Sequence, residues 1–183
     1  MNQIPTGLTF VSDFLTGADY ERVVDAVSSL TYTHDKFRGR NLKRGYAQYG
    51  FSYVTSGRRL DSSDPLPDFL QPLIDAAVEH CPDGTLLNQC IITKYPKSAG
   101  IGWHTDAPCF GETIVGVSLG STARFQFRRN GEDDASYELE ANPGSMYVMT
   151  SDARHEYQHS ILAVKSLRYS ITLRHVDSNA AVT

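Results

Sequence analysis

The sequence predicts an α+β chain, with two helices in its N-terminal half followed by a jelly roll of about eight strands. Three observations carry that reading. Apolar residues recur at helical spacing at Val23, Val24, Val27 and Leu30, and again at Phe69, Leu70, Leu73, Ile74, Ala77 and Val78. From Leu86 onward the chain breaks into short β-rich runs separated by Gly, Pro, Asn or Asp. Finally, 183 residues with 40% hydrophobic and 21% charged content suit one ordinary globular domain with enough chain to bury a core. The expected organisation is a single domain, 1–183, with an N-terminal extension over 1–85, a strand-rich core over 86–176 and a tail over 177–183.

In order, residues 8–15 read as a short strand leading into a helix, with Thr16 as its N-cap and Asp19 three positions on. Residues 36–53 differ in character. Lys36, Arg38, Arg40, Lys43 and Arg44 fall within nine positions, and Tyr46, Tyr49, Phe51 and Tyr53 follow at once. Cations beside aromatic rings suit a nucleic acid, the cations meeting phosphates and the rings offering stacking faces to an unpaired base. The alternative is a solvated basic loop running into a strand whose aromatic residues are core. Residues 54–66, with Gly57, Asp61, Ser62, Ser63, Asp64 and Pro65, form a loop by composition. A helix is expected from Pro67 to Cys81, ended by Pro82-Asp83-Gly84. The strands then fall at Leu86–Tyr95, around His104, and at Thr113–Leu119, Ala123–Arg129, Tyr137–Leu139, Ser145–Thr150, Glu156–Ile161 and Leu167–His175.

Composition excludes some classes of function. A formal net charge of −4 argues against a protein that coats nucleic acid by bulk electrostatics, though not against a local basic surface. Cys81, Cys90 and Cys109 are odd in number and lack metal-ligand spacing, so they read as buried or free thiols. There is no apolar run of the roughly 18 residues needed to cross a bilayer, and no charged-then-apolar signal pattern at the N-terminus. We expect a cytoplasmic monomer with no membrane partner.

The candidate chemistry centres on Gly100-Ile101-Gly102-Trp103-His104-Thr105-Asp106. On a strand, side chains at i and i+2 point the same way, so His104 and Asp106 would converge from one segment. They would supply two ligands of a site built from two histidines and one carboxylate, the set that leaves open positions on a non-haem iron(II). His155 and His159 are both candidates for the third ligand. They are four apart, and strand parity alone does not separate them. On the last strand Arg168, Ser170, Thr172 and Arg174 share one face, while Leu167, Tyr169, Ile171 and Leu173 share the other. If the helices cover the outer surface of the sheet, the polar face points into the barrel mouth. Two arginines there require anionic partners, because an unpaired buried guanidinium is costly. A dicarboxylate co-substrate would answer that need, since the guanidinium fork matches a carboxylate. Otherwise the strand faces solvent and its arginines are ordinary surface residues.

Several stretches together resemble the AlkB family of iron(II)/2-oxoglutarate dioxygenases, most of all its compact bacterial members. They are Asn88-Gln89-Cys90-Ile91-Ile92-Thr93-Lys94-Tyr95-Pro96, the His104 stretch, Phe110-Gly111, Val117-Ser118-Leu119-Gly120 and Phe125-Gln126-Phe127-Arg128. Further along come Gly144-Ser145-Met146-Tyr147-Val148-Met149, Arg154-His155-Glu156-Tyr157-Gln158-His159-Ser160-Ile161 and Arg168-Tyr169-Ser170-Ile171-Thr172-Leu173-Arg174. Upstream, Phe37-Arg38-Gly39, Lys43-Arg44 and Tyr49-Gly50-Phe51-Ser52-Tyr53 look like a nucleotide-recognition lid over 36–53. The resemblance runs in family order across residues 37–175.

It implies a double-stranded β-helix (jelly roll) core with the N-terminal helices packed on its outer face. It implies an oxidoreductase that uses iron and 2-oxoglutarate to demethylate N-alkylated nucleobases in DNA or RNA, releasing formaldehyde, succinate and CO2, as in DNA repair or RNA demethylation. His104, Asp106 and His159 would be the metal ligands and catalytic centre, because Tyr157-Gln158-His159-Ser160-Ile161 matches the context of the family's second histidine. Arg168 would pair with the distal carboxylate of 2-oxoglutarate, Arg174 would lie near its keto-acid end, and Tyr95 and Thr93 would complete the co-substrate site. Lys43, Arg44, Tyr49, Phe51, Tyr53 and Trp103 would meet the alkylated nucleic acid, and molecular oxygen is the remaining reactant. The chain departs from the family pattern twice. Thr93 stands where Asn is frequent, and Pro108 stands where repair members carry an acid that reads the damaged base. Pro108 keeps open an alternative, a dioxygenase of the same fold acting on a protein side chain or a small metabolite.

Overall fold

The computed structural model describes residues 3–37, 39–54 and 59–177. Along the chain run β1 (Leu8–Val11), α1 (Gly17–Ser28), β2 (Lys36–Phe37), β3 (Arg40–Asn41), β4 (Gly45–Tyr49), β5 (Phe51–Val54) and β6 (Arg59–Ser62). A 3-10 turn, Asp68–Leu70, leads into α2 (Gln71–Val78). Then follow β7 (Gln89–Tyr95), β8 (Ile101–His104), β9 (Ile114–Gly120), β10 (Ala123–Arg129), β11 (Tyr137–Ala141), β12 (Met146–Met149), α3 (Ser151–His155), β13 (Tyr157–Ile161) and β14 (Arg168–Arg174).

Ten of these strands form two facing antiparallel sheets, while β2 with β3 and β5 with β6 pair as separate two-stranded ribbons. The larger has the order β1-β12-β9-β14-β7-β4 and the smaller β11-β10-β13-β8. Strands β7 to β14, the eight expected, divide four and four between the sheets as in a jelly roll, with β10 and β11 joined as a hairpin within the smaller one. The sequence did not disclose that β1 and β4 extend the larger sheet at its two edges, β1 on β12 and β4 on β7. Edge pairings of this kind join segments far apart in the chain and leave no local pattern. The turn from β4 to β5 is fixed by Gly50 at φ +75°, where a Cβ would stand 2.0 Å from the Asn88 carbonyl oxygen.

α1 begins after an extended Thr16, as its sequence suggested, although the threonine hydroxyl makes no capping bond. α2 is shorter than the span 67–81. Pro72 sits in its first turn, where a missing N–H costs nothing, and the residues before it tighten into the 3-10 turn. Both helices lie on the outer face of the larger sheet. Val23, Val27, Leu70, Leu73 and Ala77 pack with Ile92, Val115, Val117, Ile171 and Leu173 there, all at most 4% exposed. Each of the larger side chains here contributes on the order of 2 kcal/mol by leaving water, and Ala77 less. A second core, including Phe125, Phe127, Ile114 and Met149, fills the space between the sheets. With the outer face of β14 thus covered, its polar face turns into the barrel, and Arg168 and Ser170 are buried there.

Among the described residues no helix is long and apolar enough to cross a membrane.

Candidate active site

His104 ends β8 and is the register partner of His159 on β13. The pairing brings the two imidazole centroids to 4.3 Å. Asp106 lies two residues past the end of β8, so a loop rather than strand parity aims its carboxylate. Its Oδ2 lies 3.5 Å from His159 Nε2, and its Oδ1 is paired with the guanidinium of Arg174. His155 is elsewhere. It ends α3, a helix absent from the sequence reading, and its Nε2 meets Glu112 Oε2 at 2.7 Å. The two histidines that parity could not separate therefore occupy different elements.

Among the described residues no three His, Cys, Asp or Glu side chains stand, as they lie, in an arrangement that could hold a metal ion. The donors nevertheless fit a divalent metal. His104 Nδ1 donates to the Gly102 carbonyl at 2.8 Å, which leaves its Nε2 lone pair free and fixes the ring. Burial, and then the neighbouring His104, push His159 down to about 3, so its imidazole is neutral at physiological pH. Burial alone would raise Asp106, but the Arg174 guanidinium and the two histidines outweigh it and hold the carboxyl at about 2. With Oδ1 on Arg174, Oδ2 is the oxygen left for single-point ligation.

Arg168 presents the sharper anomaly. Its residue is 0% exposed, its Nε donates to Ser118 Oγ at 3.1 Å, and its guanidinium lies 5.1 Å from the Tyr95 ring centre. Neither Nη finds a hydrogen-bond partner among the described residues. A buried guanidinium with two idle donors fits a ligand carboxylate, whose two oxygens match the fork. Arg174, besides holding Asp106, stacks on Phe110 with its centre 4.3 Å from the ring. Thr93 and Tyr95 project from β7 into the same interior.

His104, Asp106, His159, Arg174, Thr93 and Tyr95 open onto one cleft of about 1630 Å³, whose wall also includes Lys36, Arg44, Tyr46, Gln48, Tyr53, Trp103, Pro108, Ser170 and Thr172, while Arg168 lies buried behind it. Among the residues of the expected lid, Tyr53 lies edge-on to Phe110 at 5.6 Å, while Phe51 packs against the inter-sheet core. Tyr49, paired with Cys90, packs against the helix-side core at the end of the cleft. Lys43 is exposed and Arg44 half-buried. Arg38 lies outside the described residues. Trp103 meets the Arg128 guanidinium at 4.6 Å, and Arg128 is itself held by Gln158 Oε1 at 2.8 Å.

One residue of this neighbourhood drew no attention in the sequence beyond belonging to a matched stretch. Arg154, on α3, is 5% exposed and donates to the backbone carbonyls of Asp106, Ala107, Phe110 and Gly111 at 3.0–3.2 Å. Because its acceptors are main-chain carbonyls distant in the chain, no motif could have announced it.

A model of the family described as "2OG-Fe(II) oxygenase superfamily" matches residues 22–174. The uncharacterized protein L905 of Acanthamoeba polyphaga mimivirus is 23% identical over 187 aligned residues, covering 93% of this chain and 85% of that protein. The RNA demethylase ALKBH9B of Arabidopsis thaliana is 24% identical over 204 aligned residues, covering 94% of this chain and 40% of its own length. This chain therefore spans less than half of that relative. In fold it is similar to the solved structure of OsALKBH1, with a TM-score of 0.72 at 17% identity, over 96% of this chain and 99% of the other.

Proposed function

The chain belongs to the 2OG-Fe(II) oxygenase superfamily and is an AlkB-like dioxygenase using Fe(II) and 2-oxoglutarate; from that premise we propose that it removes alkyl groups oxidatively from N-alkylated nucleobases in DNA or RNA. The observation that carries this reading is the continuity of the cleft. One cavity of about 1630 Å³ joins the His104, Asp106 and His159 cluster to a wall bearing Arg44, Lys36, Tyr46, Tyr53 and Trp103. A base extruded from its strand would have its reactive edge at the cluster and its phosphates toward the cations.

In this reading His104, Asp106 and His159 would hold iron(II), and Arg168, beside Tyr95 and Ser118, would pair with the distal carboxylate of 2-oxoglutarate. Iron and 2-oxoglutarate together supply the oxidising power, with succinate and CO2 as the co-product pair. The chain's own work is placement and charge. Arg174 fixes one oxygen of Asp106, the Gly102 carbonyl orients His104, and Phe110, Phe125 and Tyr147 form the apolar floor that limits water. Hydroxylation of an N-methyl group gives a hemiaminal, which loses formaldehyde and restores the base. An N1-alkylated base pairs poorly, which lowers the cost of extruding it.

A second reading has its own support: Pro108 stands on the cleft wall at the position of the acid that reads a damaged base in repair relatives. Under it the enzyme acts on a protein side chain or a small metabolite. Incubation with iron(II), 2-oxoglutarate and an N1-methyladenine oligonucleotide separates the two. Formaldehyde release with loss of methyl mass supports the nucleic-acid reading, and succinate formed without demethylation moves the assignment to the second.

A further inference from the structure

The loop carrying Asp106 has space on both of its sides. Thr105, Asp106, Pro108 and Phe110 line the large cleft, and the same four residues line a second cavity of about 350 Å³ behind them. Phe110, 5% exposed, anchors the far end of the loop in the inter-sheet core, whereas Thr105 and Pro108 beside Asp106 are exposed, and packing is what ordinarily fixes a side chain to within a fraction of an ångström. The loop's own backbone bonds are few. Phe110 N donates to the Ala107 carbonyl at 3.1 Å and Gly111 N to the His175 carbonyl at 2.8 Å.

At the Asp106 end of the loop, Arg154 supplies contacts that side-chain packing does not. Its Nε donates to Gly111 O at 3.2 Å, Nη1 to Asp106 O at 3.2 Å, and Nη2 to both Ala107 O and Phe110 O at 3.0 Å. One planar, rigid group therefore fastens four carbonyls of a six-residue segment, beginning at the peptide of Asp106 itself. α3, which bears it, is anchored in turn. Ala153 N donates to the Thr6 carbonyl and Thr150 N to the Gly7 carbonyl, each at 2.9 Å. A line of fixed contacts runs from the N-terminal segment through α3 to the Asp106 backbone, and α3 leads directly into β13 with His159.

We propose that Arg154 is a positioning residue that holds the Asp106 loop in ligating geometry before any metal arrives, so that Asp106 Oδ2 meets the two histidines without a prior search of loop conformations. The inference rests on the assignment of His104, Asp106 and His159 as ligands, but not on the identity of the substrate. It accounts for an arginine buried among neutral carbonyls, which no step of the chemistry uses.

The test measures Mn(II) affinity by calorimetry, with and without 2-oxoglutarate, in the full-length Arg154→Ala, Arg154→Lys and His155→Ala proteins. Loss of a group that orients a metal ligand typically weakens binding about 10–100-fold, and Arg154→Ala is expected in that range. Arg154→Lys keeps the charge and the stem but not the fork, and should recover part of the affinity. His155→Ala, on the same helix but paired with the exposed Glu112, should bind Mn(II) as wild type does. Arg154→Ala with a lowered melting temperature but wild-type Mn(II) affinity would mean a merely structural arginine and overturn the proposal. Should Arg154→Ala fail to fold, Arg154→Lys decides alone: weakened binding in a folded protein supports the proposal, and wild-type binding refutes it. His104→Ala serves as the reference. If it leaves Mn(II) binding unchanged, the ligand assignment itself falls, and the role of Arg154 falls with it.

Discussion

The Nε of Arg168 donates to the hydroxyl of Ser118 at 3.1 Å, with both residues 0% exposed, while the guanidinium stacks on Tyr95 and neither Nη finds a hydrogen-bond partner among the described residues. Burial pulls this guanidinium below its usual range, whereas Tyr95 and Tyr147 act to keep it charged. The arrangement costs free energy in the protein alone and returns it when an anion binds, because the two idle Nη groups lose water without gaining a partner.

That asymmetry gives a paired expectation for Arg168→Met. Replacing an unmatched buried charge by an apolar chain of similar length should leave the protein without co-substrate as stable as wild type, or about 1–4 kcal/mol more so. The same change should weaken 2-oxoglutarate binding by about 100-fold or more. Urea unfolding with and without 2-oxoglutarate reads both effects. A variant destabilised on its own yet stabilised normally by 2-oxoglutarate would exclude Arg168 from the co-substrate site.

The two histidines near the end of the chain make the second prediction. His159→Ala should abolish iron-dependent turnover, because His159 is the residue paired with His104 and set 3.5 Å from Asp106. His155→Ala removes a partly exposed contact with Glu112, a class of pair worth about 1 kcal/mol at most, and turnover should persist. Succinate formation in each variant measures the difference, and the opposite pattern would mean that the metal lies toward α3.

The same pair shows what a sequence discloses and what it hides. The eight core strands were legible because each is a short β-rich run bounded by its own Gly, Pro, Asn or Asp. The convergence of Arg168 and Arg174 on one face followed from parity alone. α3 was not legible: Ser151 to His155 is too short to show a helical period, and its start is set by Thr150 in extended backbone and Ser151 at φ +47°. Without α3, His155 read as a strand residue equivalent to His159. The placement of Asp106 was half legible. Its spacing from His104 was visible, but its aim comes from Arg154, through backbone contacts that leave no trace in side-chain chemistry.

A third prediction concerns pH. Tyr147 is 5% exposed, and burial pushes its hydroxyl up to about 12 from the usual value near 10. Between those values the folded state holds a proton that the unfolded state has released. The contribution to stability is therefore fully present below pH 10 and lost as pH rises toward 12. Two units correspond to at most about 3 kcal/mol. Tyr32 is also raised by burial, so the useful quantity is the difference between wild type and Tyr147→Phe. Across pH 8, 10 and 11 the urea midpoint of wild type should fall relative to that of the variant. A gap that stays constant would show that Tyr147 titrates normally.

The final prediction separates nucleic acid from smaller substrates, and it turns on two adjacent cations that the structure treats differently. Arg44 is half-buried on the cleft wall, and its carbonyl accepts a hydrogen bond from His34 Nδ1 at 3.1 Å, which fixes the backbone there. Lys43 is exposed and off that wall. A phosphate contact contributes about one unit to the slope of log affinity against log salt, whereas a neutral substrate shows no such slope. Arg44→Gln should therefore weaken binding of a methylated oligonucleotide and reduce its salt slope by about one, with Lys43→Gln weaker in both respects and 2-oxoglutarate affinity unchanged in each. Fluorescence anisotropy across a salt series measures this. If the oligonucleotide binds both variants as it binds wild type, the cations on the wall meet no phosphates, and Pro108 becomes the guide to a protein side chain or metabolite as the molecule that enters the cleft.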